Sequence, residues 1–212
     1  MNSATLRPGD VLMSRADGVR TRVILCDQYE IMYDVLDPTT EKWHKLGSLN
    51  AFIIYYRGEI SWFVGSHEFV DHDDYSEDIC KVIRPDLPLR LCRNKDMFWT
   101  GSTFDSPAEY QAFVSEHVDR AWLCEGRLEL PEVYLAADPL ESGMKKPVLV
   151  RAADGNGFSY VELMWHAQNI QSSYQGKKRS HRGVGIYRLG HLERIPSYAI
   201  MDYYHPAGIQ LD

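Results

Sequence analysis

The stretch His67-Glu68-Phe69-Val70-Asp71-His72-Asp73-Asp74 holds the densest set of ionisable side chains in the chain. Imidazoles and carboxylates are the ligands a divalent cation takes, provided they converge on one point. The spacing argues against convergence. Metalloprotease helices set two histidines four residues apart on one face. Here they are five apart, which on a helix turns them about 140° from each other and on a regular strand sends them to opposite sides. His67, Asp71, His72 and Asp74 are therefore weak metal candidates, and so many aspartates read first as a solvated acidic loop. No cofactor is expected.

A second constellation runs along a helical pattern. Glu162, His166 and Asn169 lie at i, i+4 and i+7 and share one face. A carboxylate one turn before a histidine can orient an imidazole for proton transfer; it is equally an ordinary surface pair. Trp165 sits beside that face, and an aromatic next to an imidazole and an amide is a usual pocket wall. Trp165, His166 and Asn169 are thus ligand-binding candidates. The loop that follows carries Lys177, Lys178, Arg179, His181 and Arg182 between Gly176 and Gly183. Such a basic run can grip phosphate, nucleic acid or an acidic surface, against the plain reading of a solubilising loop.

No P-loop, no dinucleotide fingerprint and no nucleophile elbow is present. Cys26, Cys80, Cys92 and Cys124 form no C-x-x-C pair and match no zinc spacing, so they read as buried free thiols in a reducing compartment.

A net charge of −7 repels phosphate backbones and anionic lipid, so nucleic-acid binding would need that local basic loop. The longest apolar run is Ala51–Tyr56, far below a membrane span. Met1–Asp10 has no signal-peptide core. These features point to a cytoplasmic protein with no membrane attachment. Aromatic residues make up 12% of the chain, which favours sheet.

The elements that must position these groups follow from turn and capping signals. Arg7-Pro8-Gly9-Asp10, Ala16-Asp17-Gly18 and Asp37-Pro38-Thr39-Thr40 punctuate short strands. Ala51–Tyr56 and Ile60–Val64 around Arg57-Gly58-Glu59 read as a further hairpin. A Pro-Gly-Asp turn followed by a meander resembles SH3-like barrels, a resemblance of fold alone. Ser106-Pro107-Ala108-Glu109 opens a helix whose apolar stripe runs through Tyr110, Val114, His117 and Ala121 to a stop at Gly126. His117 is expected in the core. Pro131 interrupts a strand over Leu128–Ala136 and assigns it to a sheet edge. Ser159-Tyr160-Val161-Glu162 opens a second helix to about Gln171, and two strands close the chain.

The expected fold is α+β: a strand-rich half over 1–92, as a small barrel or bent antiparallel sheet, then a mixed half over 93–212 with two helices, with one fused domain as the alternative. The expected function is a non-catalytic binding protein acting on a protein partner, of the inhibitor or immunity type. A metal-dependent hydrolase or nuclease-like enzyme and a nucleic-acid-binding protein using Lys177 to Arg182 are the alternatives.

Overall fold

The structure is a computed structural model and describes residues 6–45, 47–49, 52–54, 56–73, 83–119, 121–137, 145–175, 183–192 and 194–202. Asp74, Cys80 and the basic run Lys177 to Arg182 lie outside these residues. The chain divides into two compact units. Unit 1 is built on Met1–Leu89 with Leu189–Arg194, and unit 2 on Arg90–Arg188 with Ile195–Tyr204.

Turn chemistry shapes unit 1. Gly9, at φ +94°, swings the chain into β1 (Asp10–Ser14). Gly18, at φ +72°, closes the hairpin to β2 (Arg20–Cys26), helped by Asp17 Oδ1, which accepts the Val19 N–H at 3.1 Å. Between β3 (Glu30–Asp37) and β4 (Lys42–His44), Asp37 Oδ1 accepts the N–H groups of Thr39 and Thr40. After β5 (Gly47–Leu49), β6 (Phe52–Ile54) and β7 (Tyr56–Glu59) come α1 (Ile60–Ser66) and β8 (His67–His72). The first sheet is antiparallel in the order β4-β3-β2-β1-β8, with β7 also paired to β3. Among the described residues it does not close into a barrel. Leu12, Val23, Ile31 and Phe63 form one apolar cluster, and Ile24, Leu25, Met32, Ile83 and Leu89 another. Each such side chain stabilises the fold by about 2 kcal/mol on burial.

The strand expected over Ile60–Val64 is instead α1. Its β-branched and aromatic residues favour a strand locally. A helical turn, however, sends Ile60 and Phe63, three residues apart, into the core together. Gly58 makes room: a Cβ there would lie 2.7 Å from the Phe63 ring.

Unit 2 begins with β9 (Arg90–Asn94), followed by α2 (Pro107–Val114), α3 (Ala121–Cys124), β10 (Arg127–Leu128), β11 (Glu132–Ala137), β12 (Val148–Arg151), β13 (Phe158–Ser159), α4 (Tyr160–Gln175), β14 (Val184–Leu192) and β15 (Ile195–Asp202). Its main sheet runs β12-β11-β15-β14, with β9 on β14. β11 and β15 are parallel, whereas β12 on β11 and β9 on β14 are antiparallel. The last residues of β14 pair with β6 within unit 1. The fold class is thus α+β, as expected.

Two boundaries differ from the sequence reading. The first long helix ends at Val114, because the N–H groups of Glu116 and His117 bond three residues back and tighten the chain. The Ser115 hydroxyl also takes the Ala112 carbonyl. His117 is consequently exposed, its ring tilted against Phe113 with centroids 5.1 Å apart, and is not a core histidine. β11 is an interior strand, not an edge, because Pro131 lies just before it and uses its carbonyl to accept the Ala152 N–H. No helix among the described residues is long and apolar enough to cross a membrane.

Candidate functional site

A charged side chain in the middle of a strand needs a partner or water. Arg22, in β2, lies opposite Asp34 of β3 and Val11 of β1. Its Nε and Nη2 donate to the two oxygens of Asp34 at 3.2 and 2.7 Å, and Nη1 donates to Asp73. The guanidinium lies 4.6 Å from the centre of the Trp43 ring. Only the planar fork of an arginine makes this bidentate, stacked arrangement. Asp34 is 0% exposed. Burial pushes its carboxyl above the ordinary range while Arg22 pulls it back down.

A cleft of about 270 Å³ opens on this network, lined among others by Val11, Arg20, Trp43, Val70, Asp71 and Asp73. A β-bulge shapes its wall. Val11 pairs with Asp71 and Leu12 with Phe69, so Val70 is an extra residue in β8. The bulge turns Val70 and Asp71 to the cleft side together. The end of β8 is fixed by the turn that begins β1. Asp73 N–H donates to Gly9 O at 2.8 Å, and a Cβ on Gly9 would lie 2.6 Å from Asp73 O. His72 Nδ1 lies 2.8 Å from Asp10 Oδ1, and the other Asp10 oxygen accepts the Arg7 N–H.

His67–His72 is therefore a strand and not the loop expected, although Glu68–Asp71 are exposed to solvent as expected. β1 residues Ser14 and Asp10 pair with His67 and His72 respectively. Four residues of strand hold those histidines about 13 Å apart, too far for one ion. His67 is buried and stacks on Phe63 at 4.5 Å, and burial lowers its pKa. Asp71 lines the cleft and accepts the His72 N–H at 2.8 Å. Among the described residues no three histidines, cysteines or carboxylates are grouped to hold a metal.

In unit 2 the polar face of α4 fastens the loop before α2. Trp165 Nε1 donates to Phe104 O at 2.7 Å. Asn169 brackets the same residue, accepting its N–H at 2.9 Å and donating to its carbonyl at 2.8 Å. Gln168 reaches the Thr100 and Ser102 carbonyls, both at 2.8 Å. Glu162 accepts the Ala153 N–H at 2.7 Å, while its own N–H donates to the Ser159 cap. His166 is half-buried against Trp165, with ring centroids 4.4 Å apart, and burial holds it below its ordinary 6.5. The structure thus brings Trp165, His166 and Asn169 together on one helix, and none of them lines the cleft of unit 1. Of the cysteines, Cys26 and Cys92 are free thiols; burial pushes Cys26 up to about 11 and raises Cys92 well above its ordinary value.

β8 ends the strand order of the first sheet. Phe69 is 53% exposed, Val70 40%, and the neighbouring Trp62, on α1, 58%. Sequence reasoning passed over Arg22, Asp34, Trp43 and Asp73 as a set. The available signal was Asp34, a carboxylate in the middle of the apolar run Ile31–Leu36, which demands a buried cation.

Comparison with protein-family models, with curated proteins and with solved structures finds no match for this chain.

Proposed function

We propose that this is a cytoplasmic, non-catalytic binding protein that takes up an extended segment of a protein partner along β8, as an inhibitor or immunity-type protein does. The observation that supports it is the exposure of Phe69 and Val70 in the middle of an edge strand, next to exposed Trp62. Edge strands offer unpaired N–H and C=O groups, and proteins commonly blunt them with charge, proline or a covering segment. Among the described residues no strand pairs the outer edge of β8. An added strand would satisfy those backbone groups and cover the apolar side chains. The Arg22–Asp34–Asp73 network suits a rigid recognition floor, since its charges are spent on one another. The SH3-like architecture stays in this reading as a fold analogy without functional weight.

Affinity purification from a native-like lysate tests the proposal, with the wild-type protein and Phe69→Glu as baits. A stoichiometric protein recovered by the wild type and depleted at least tenfold by the variant, at unchanged melting temperature, is the expected result. Recovery that ignores Phe69→Glu, or a bound nucleotide or metal with no protein, would overturn it.

A further inference from the structure

The cleft beside β8 gives the partner's chemistry, and this step rests on the strand-addition reading above. We propose that the cleft seats a cationic side chain, a guanidinium or an ammonium, projecting from the segment that pairs with β8. Three observations converge. The bulge turns Val70 and Asp71 from the pairing strand into the cleft, so a side chain of an added strand has a short path to it. Trp43 contributes an aromatic wall that already holds the Arg22 guanidinium over its ring, and an indole has a second face that attracts cations in the same way. Among the charged residues that line the cleft, Asp71 and Asp73 outnumber Arg20; Asp73 is bonded to Arg22, and Asp34 lies buried behind it against Arg22 and Lys45. Glu68, exposed on the same strand, adds to that sign.

The same charges speak against a second copy of this chain. Antiparallel self-pairing of β8 in the register that uses all six residues would set His67 opposite His72, Phe69 opposite Val70 and Glu68 opposite Asp71. Like charges directly opposite each other destabilise a strand pair. A basic segment reverses that sign at both positions.

The test uses the full chain and two synthetic blocked heptapeptides, Thr-Val-Thr-Arg-Val-Thr-Val and the same peptide with Glu in place of Arg. Binding is followed by amide and indole chemical shifts. The expected result is that the arginine peptide binds at least tenfold more tightly and moves the Trp43 indole signal together with Val70–Asp73. Asp71→Asn, at unchanged melting temperature, should cut that preference at least threefold. Equal binding of the two peptides, or an unmoved Trp43 indole, overturns the cation seat. If such binding still shifts Glu68–Val70, strand addition survives without it. No binding of either peptide at millimolar concentration overturns the seat as well, whereas the lysate experiment judges strand addition separately.

Discussion

Replacing Arg22 by Met removes the cation and keeps much of the apolar stem. Asp34, 0% exposed, then loses both side-chain hydrogen bonds to Arg22 together with its bonded cation, and Lys45 remains as a positive charge acting on it. Breaking a buried ion pair costs about 3–5 kcal/mol. Little discount applies on the arginine side, which is 13% exposed, whereas the released Asp73, 39% exposed, regains water and adds little. A loss of about 3–4 kcal/mol follows, which lowers the melting temperature of a unit this size by roughly 15 °C. The pH dependence carries a sign. Burial raises the folded pKa of Asp34 above its unfolded 3.8, and losing Arg22 raises it further. Between those values the folded state holds more protons than the unfolded state, so stability falls as pH rises through the window. The gap between variant and wild type is therefore widest near neutrality and narrows on acidification, as Asp34 takes up a proton. The double variant Arg22→Met/Asp34→Leu recovers most of the loss, because it leaves no buried charge unpaired. Urea titrations at pH 7 and pH 4, read by tryptophan fluorescence, measure all three. A loss under 1 kcal/mol at pH 7, or a gap that does not shrink on acidification, refutes the reasoning.

Three further outcomes follow from the geometry. Asn169→Ala deletes two hydrogen bonds to Phe104, worth about 2 kcal/mol together, so hydrogen exchange at the Phe104 amide should quicken roughly 30-fold while β11 is unaffected. Gly9→Ala forces a side chain into φ +94° and to 2.6 Å from Asp73 O, so the urea midpoint should fall by the equivalent of about 3 kcal/mol. His166, held neutral by burial, should titrate below 6.5 by NMR. Since its folded pKa is depressed, its share of stability is present above 6.5 and lost as pH falls, and His166→Gln should abolish that portion of the pH profile.

Local chemistry was the legible part of this fold. Asp17-Gly18 and the Asp37 turn announce hairpins because they satisfy backbone donors within three residues of themselves. Ser106 and Ser159 announce helix starts for the same reason, each hydroxyl accepting the N–H three residues on. What escaped depends on partners far away in sequence. Ile60–Ser66 has the composition of a strand, and only the demand of the core for Ile60 and Phe63 on one side makes it a helix. The Val70 bulge is a mismatch in count between β8 and β1, which no single strand records. Arg22 and Asp34 are twelve residues apart, and their pairing exists only once register is set. The same holds for the polar face of α4: its spacing was legible, but that Trp165 and Asn169 both bond to the backbone of Phe104 was not.

Backbone hydrogen exchange of β8 with and without the captured partner probes the recognition surface most directly. Strand addition predicts that amides within Glu68–His72 slow at least tenfold in the complex, alternating along the strand as pairing requires. Protection appearing elsewhere while β8 exchanges as in the free protein would contradict it.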